Sequence, residues 1–170
     1  MLFRSFVGEA LVVVGIAVVV GVPDSGIPAA VGYAKESGIP YGVGFIKNKY
    51  IGRSFIKPTQ ELRQKAVMVK LNPLKLNIAG KRVIIVDDSL VRGNTSKILI
   101  EMMRRAGAIE VHFMSASPAV KYSCYFGIDT AHRSELIASK MSVQEIREEI
   151  QIFSSPRQFR VMRQSWPLHV

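Results

Sequence analysis

Two adjacent carboxylates, then a glycine, then amide and hydroxyl side chains make Asp87-Asp88-Ser89-Leu90-Val91-Arg92-Gly93-Asn94-Thr95-Ser96 the stretch richest in chemistry. The acids offer oxygen acceptors for sugar hydroxyls or for a hard cation. Gly93 followed by Asn94, Thr95 and Ser96 at a helix start offers N–H and O–H donors, which together form an anion site. Acceptors and anion donors on one loop suit a ribose phosphate. A plainer reading of the same residues is that the aspartates cap a turn and that Thr95 or Ser96 is only a helix N-cap. The single register in which all of them follow an apolar strand favours the site.

Two other segments carry groups of the same kind. Val22-Pro23-Asp24-Ser25-Gly26-Ile27-Pro28 is a glycine-containing turn before a helix, able to aim amides and the Ser25 hydroxyl at an oxyanion, or simply to link a strand to a helix. Lys47-Asn48-Lys49-Tyr50-Ile51-Gly52-Arg53-Ser54-Phe55 is polar and basic, fit either to cover a polyanion or to lie solvated.

The elements that must position these residues alternate between strand and helix. The run Ala10 to Val22 is continuously apolar and rich in valine, and it follows Arg4 as a secretory leader would. It falls short of the ~20 residues that cross a bilayer and lacks a small-residue cleavage pattern, so a buried parallel strand is the preferred reading. A helix is predicted from about Pro28 to Gly38, a strand over Ile39 to Lys47, and a helix after Pro58-Thr59. Val83 to Val86 reads as a central strand and Thr95 to Ala106 as a helix with Ile98, Leu99, Met102 and Met103 on its buried face. Glu110 to Ser115 reads as a strand. Ser142-Val143-Gln144-Glu145 is a capping box opening a short helix with Val143, Ile146 and Ile150 on one side. The alternation predicts an α/β fold with a parallel sheet flanked by helices.

The chain is basic, with 23 Lys and Arg against 13 Asp and Glu in 170 residues, a net charge of +10. Much of the excess lies between Phe45 and Lys75, where Lys47, Lys49, Arg53, Lys57, Arg63, Lys65, Lys70 and Lys75 face Glu61 alone. Such a run fits nucleic acid or a polyanionic small molecule, and charge alone does not choose between them. The absence of a nucleic-acid motif or of interleaved aromatics argues against the first. His112, His132 and His169 lack metal-ligand spacing. Cys124 is the only cysteine, so no internal disulfide forms and a reducing compartment is expected.

The stretch from Val83 to Ser96 resembles the motif by which type I phosphoribosyltransferases bind 5-phosphoribosyl 1-diphosphate (PRPP). Its string Asp-Asp-Ser-x-Val-Arg-Gly-Asn-Thr resembles, within them, the phosphoribosyltransferase half of the glutamine-dependent amidophosphoribosyltransferases. Val22 to Ala30 resembles that family's pyrophosphate loop, Lys47 to Phe55 its substrate-covering loop, and Ser117 to Asp129 the segment after the next strand. The resemblance implies catalytic roles for Lys47, Tyr50, Asp87 and Asp88. It implies substrate contacts from Asp24, Ser25, Gly26, Lys49, Arg53, Ser89, Val91, Arg92, Gly93, Asn94, Thr95 and Ser96, and Mg2+ held by Ser25, Asp87 and Asp88. The implied reaction is transfer of ammonia to PRPP, giving 5-phosphoribosylamine and pyrophosphate at the first committed step of purine synthesis.

The family's glutaminase segment is not recognisable in this sequence. A separate glutaminase domain or subunit is therefore an expected partner, alongside PRPP, pyrophosphate and a second copy of the chain; nucleic acid and membrane are not. Cys124 matches an iron–sulfur ligand of some members, but a cluster takes four cysteines, so none is expected. Residues 1–17 read as an N-terminal extension or partial strand, 18–150 as the phosphoribosyltransferase domain and 151–170 as a divergent basic tail. Both ends read as truncated, and a cytoplasmic setting is expected. The competing readings are an inactive fragment or PRPP-binding regulatory protein, and a nucleobase phosphoribosyltransferase.

Overall fold

Runs of valine and isoleucine with no polar interruption are stable as strands only where both faces are covered, and that requirement organises this molecule. The computed structural model describes residues 17–50, 67, 69–124 and 132–150. Strand β1 (Ala17–Gly21) pairs in parallel with β4 (Arg82–Asp87), which pairs in parallel with β5 (Glu110–Ser115), so β4 is the middle strand. The register sets Gly21 beside Val86 and Asp87 beside Ser115. Alternate side chains of the sheet enter two separate cores. Val18, Val20, Val83, Ile85, Val111 and Phe113 share one with the 12-residue helix α3 (Asn94–Arg105). Val19, Ile84 and Val86 share the other with Ala30 and Ala34 of α1 (Gly26–Ser37). Helices therefore flank both faces of a parallel sheet, as the alternation predicts.

A small antiparallel ribbon stands beside this sheet, formed by β2 (Phe45–Lys47) and β3 (Leu71–Pro73) with Lys47 opposite Leu71. Phe45 and Leu71 anchor it in the α3-side core. The short helix α2 (Lys75–Ile78) follows β3, and α4 (Ile137–Lys140) and α5 (Val143–Glu149) follow β5 after a 3-10 turn at Arg133–Glu135.

The boundaries differ from expectation in instructive places. The strand expected over 39–47 shrinks to three residues, because Pro40 lacks an N–H and the chain there makes a single bridge, Val19 to Tyr41. Helix α1 begins two residues before Pro28, which is tolerated because a first-turn N–H has no helical acceptor to lose. Gly38 ends that helix in the left-handed region at φ 72°. The Ser142 capping box forms, with Glu145 N–H donating to Ser142 Oγ and Ser142 N–H to Glu145 Oε2. Val143, expected inside with Ile146 and Ile150, faces solvent because it occupies the first turn on the outer side. The described part of the valine run is strand β1, and no helix among the described residues is long and apolar enough to cross a membrane. The helix expected after Pro58-Thr59 and the segment 151–170 lie outside the described residues.

Candidate functional site

Parallel pairing sends β1 and β4 out of the sheet at the same rim, so the turns that follow them are neighbours. Val22 N–H extends the ladder to Val86 O at 2.9 Å, and the chain then turns through Pro23-Asp24-Ser25, with a cis peptide between Pro23 and Asp24, into α1. Gly26 makes this approach feasible. A Cβ there would lie 2.5 Å from Val86 O and 3.1 Å from Asp87 Cα, so the start of α1 rests on the root of the acid pair. Its own N–H donates to Val22 O at 2.9 Å, so Gly26 supplies close packing and not an open amide for an anion.

The two aspartates differ sharply. Asp87 is 8% exposed and Asp88 is exposed. Burial pushes the Asp87 carboxyl up to about 7, the charge of Asp88 adds to this, and the Asp88 N–H that donates to Asp87 Oδ1 at 2.9 Å opposes it. Their carbonyls are fixed from behind by Ala116 N–H (2.8 Å to Asp87 O) and Ser117 N–H (2.9 Å to Asp88 O). Ser89 Oγ donates to Asp88 Oδ1 at 3.1 Å.

The loop then reaches Gly93, whose φ of 79° is left-handed. This turn starts α3, and the first intrahelical bond runs from Lys97 N–H to Gly93 O. The N–H groups of Asn94, Thr95 and Ser96 therefore have no acceptor within the helix, the ordinary basis of an anion site.

One cleft of about 400 Å³ brings most of the predicted residues together: Ser25, Asp87, Asp88, Ser89, Val91, Arg92, Gly93, Asn94, Thr95 and Ser96 all line it. Asp24 and Lys47 form an ion pair across from each other on the turn after β1 and on β2, and this contact holds the Asp24 carboxyl below its usual range. Lys49 and Tyr50 follow on an exposed turn, with Tyr50 wholly accessible. Arg53 lies outside the described residues. The guanidinium of Arg92 points away to Glu135, with Nε and Nη2 each 2.7 Å from Oε2.

Lys70 also lines the cleft and escaped the sequence reading, where it was one cation of a basic run. The ribbon brings it in, since Asn48 N–H donates to Lys70 O at 2.7 Å beside the Lys47–Leu71 pair; no local pattern announces such a pairing. For a cation, the cleft provides the carboxylates of Asp87 and Asp88 and the hydroxyl of Ser25, all oxygen donors. No cluster of three or more His, Cys, Asp or Glu suited to a metal occurs among the described residues.

The family model for the phosphoribosyl transferase domain matches residues 9–150. The chain belongs to the phosphoribosyl transferase family. Among curated phosphoribosyltransferases, the amidophosphoribosyltransferase of Synechocystis sp. is 55% identical over 136 residues, which are 80% of this chain and 28% of that protein. That of Bacillus subtilis is 55% identical over 133 residues, 78% of this chain and 28% of that protein. The solved structure of glutamine PRPP amidotransferase from B. subtilis complexed with ADP and GMP is 50% identical, with a TM-score of 0.72 over 90% of this chain and 33% of that one. The structure described as the allosteric regulatory enzyme of purine biosynthesis gives a TM-score of 0.70 at the same identity. The chain thus spans under a third of the length of the curated relatives it matches, over their phosphoribosyltransferase region, and has the type I phosphoribosyltransferase fold.

Proposed function

We propose that this chain binds PRPP with Mg2+ and catalyses displacement of its pyrophosphate by ammonia, giving 5-phosphoribosylamine. The observation that carries the reading is the meeting of two turns on adjacent strands: the acid pair and amide cradle after β4, and the Ser25 turn after β1, in one cleft. A ribose 5-phosphate bearing a diphosphate has the same sequence of demands, with a phosphate at one end, hydroxyls in the middle and a polyanion at the other. Identity above 50% to proteins named amidophosphoribosyltransferase supports ammonia, not a nucleobase, as the acceptor.

On this reading Asp87 and Asp88 accept hydrogen bonds from the ribose hydroxyls and fix the ring. The amides of Gly93, Asn94, Thr95 and Ser96, with the hydroxyls of Ser89, Thr95 and Ser96, hold the 5-phosphate, while Val91 and Arg92 shape the loop. Ser25, Asp87 and Asp88 are the groups that would hold Mg2+. Two carboxylates and a hydroxyl fit an ion that keeps several waters and takes substrate oxygens, and a carboxyl raised by burial gains most from one. When bound, the ion neutralises charge on the diphosphate.

Bond breaking at carbon 1 develops oxocarbenium character, as in glycoside cleavage, and leaves negative charge on the departing pyrophosphate. Lys47 and Lys70 supply positive charge at that end, with Asp24 releasing Lys47 to the diphosphate. Lys49, Tyr50 and Arg53 belong to the segment that would cover the substrate and keep water from the sugar. Ammonia needs no general base. A glutaminase domain or subunit is the proposed source of ammonia in the complete enzyme.

The test is pyrophosphate release from PRPP and Mg2+ with ammonium or with glutamine. Ammonium-dependent release, none with glutamine alone, and loss in Asp88→Asn are expected. Faster turnover with a nucleobase acceptor, or no PRPP binding, would refute the reading.

A further inference from the structure

We propose that Glu135 is a positioning residue that holds the proposed phosphate loop in its binding shape through Arg92. The inference rests on the reading of that loop as the 5-phosphate cradle. Three consecutive loop residues are gripped by one short stretch of the chain. Arg92 gives Nε and Nη2 to Glu135 Oε2, both at 2.7 Å. Val91 O accepts from Ile137 N–H at 3.0 Å. Ile137 Cδ1 occupies the space beneath Gly93, 2.8 Å from where a Cβ would stand, with Ile150 Cγ2 at 3.3 Å. These contacts fix the direction in which the chain enters α3, and hence where the amides of Asn94, Thr95 and Ser96 point.

The surroundings separate this role from two others. The Arg92 and Glu135 side chains are 38% and 47% exposed, and an ion pair so open to water adds little to overall stability. Glu135 is also an anion beside a proposed anion site. If it acted only through its charge, removing it would strengthen phosphate binding. A positioning role has the opposite sign, because donors ordered before the ligand arrives bind it more tightly than donors ordered by it. Arg92 Nε and Nη2 share one oxygen of Glu135, so the contact holds that edge of the guanidinium at Glu135.

The experiment compares calorimetric binding of ribose 5-phosphate and of pyrophosphate, each with Mg2+, to the full chain and to Glu135→Ala, Glu135→Gln and Arg92→Ala. Glu135→Ala is expected to weaken ribose 5-phosphate about two- to fivefold, the most that an ion pair this exposed can contribute by ordering the loop. Pyrophosphate affinity should be unchanged and the unfolding midpoint should stay within about 3 °C. Glu135→Gln, which keeps an oxygen acceptor for Arg92, should recover part of the loss; should the alanine variant fail to fold, its smaller loss carries the test. Arg92→Ala combined with Glu135→Ala should be no worse than Arg92→Ala alone. Ribose 5-phosphate binding that is unchanged or tighter in Glu135→Ala overturns the inference, and so does an equal loss for both ligands. A wild-type chain that binds neither ligand removes the proposed function, and this inference with it.

Discussion

Replacing Asp87 by Asn should make the protein more stable at neutral pH while destroying its proposed activity. Burial lifts the Asp87 carboxyl from 3.8 to about 7. A carboxyl raised in this way opposes folding wherever the unfolded chain would ionise it. The penalty is absent below pH 4, grows between pH 4 and 7, and is constant above. Some three pH units at about 1.4 kcal/mol each set a ceiling of about 4 kcal/mol. Asparagine keeps the shape and the oxygen that accepts Asp88 N–H, and it carries no charge to bury. The expected gain is about 2–4 kcal/mol at pH 8, with a midpoint rise of about 5–10 °C, falling to about zero at pH 4. Urea unfolding followed by circular dichroism at pH 4, 6 and 8 measures it. A variant no more stable than wild type at pH 8, or a gain that persists unchanged at pH 4, would refute the reasoning. Such an exchange of stability for function is common where a site holds a charge it could shed.

The same carboxyl predicts proton release on binding. With Mg2+ and PRPP beside it, Asp87 should ionise, so calorimetry in buffers of different ionisation enthalpy should show nearly one proton released at pH 6 and almost none at pH 8.5. Gly93→Ala places a side chain at φ 79° against Ile137 and Ile150 and should cost about 2–3 kcal/mol in unfolding experiments, together with ribose 5-phosphate affinity. Asp24→Asn frees Lys47 and should tighten pyrophosphate binding about two- to fivefold at low salt, an effect that fades as ionic strength rises.

The part of the site that was readable in the sequence is the part made by neighbours along the chain. Val83 to Val86, the acids and the helix-start donors occur in order because one strand, one turn and one helix use them in order, and burial of both sheet faces writes itself as an unbroken apolar run. Resemblance then supplied the turn at Asp24-Ser25-Gly26. What stayed hidden depends on pairing across the chain. Lys70 enters the cleft through a ribbon of three residues a side, too short for a periodic signal. Glu135 reaches Arg92 from 43 positions away. The contrast between Asp87 and Asp88 is a matter of depth: the first is the last residue of β4 and the second is already outside the sheet. The packing of Gly26 is equally silent in the sequence: its amide bonds Val22 and its missing side chain admits the helix.

That missing side chain reaches beyond local packing. At Gly26 the two turns touch main chain to main chain, with no adjustable group between them. The span separating them behaves as a fixed gauge that point mutation cannot lengthen by degrees, since even a methyl group would force the rim apart. Change in what the molecule accepts must then come from the side chains that line the rest of the cleft, such as Lys70 on the ribbon, while the gauge stays as it is.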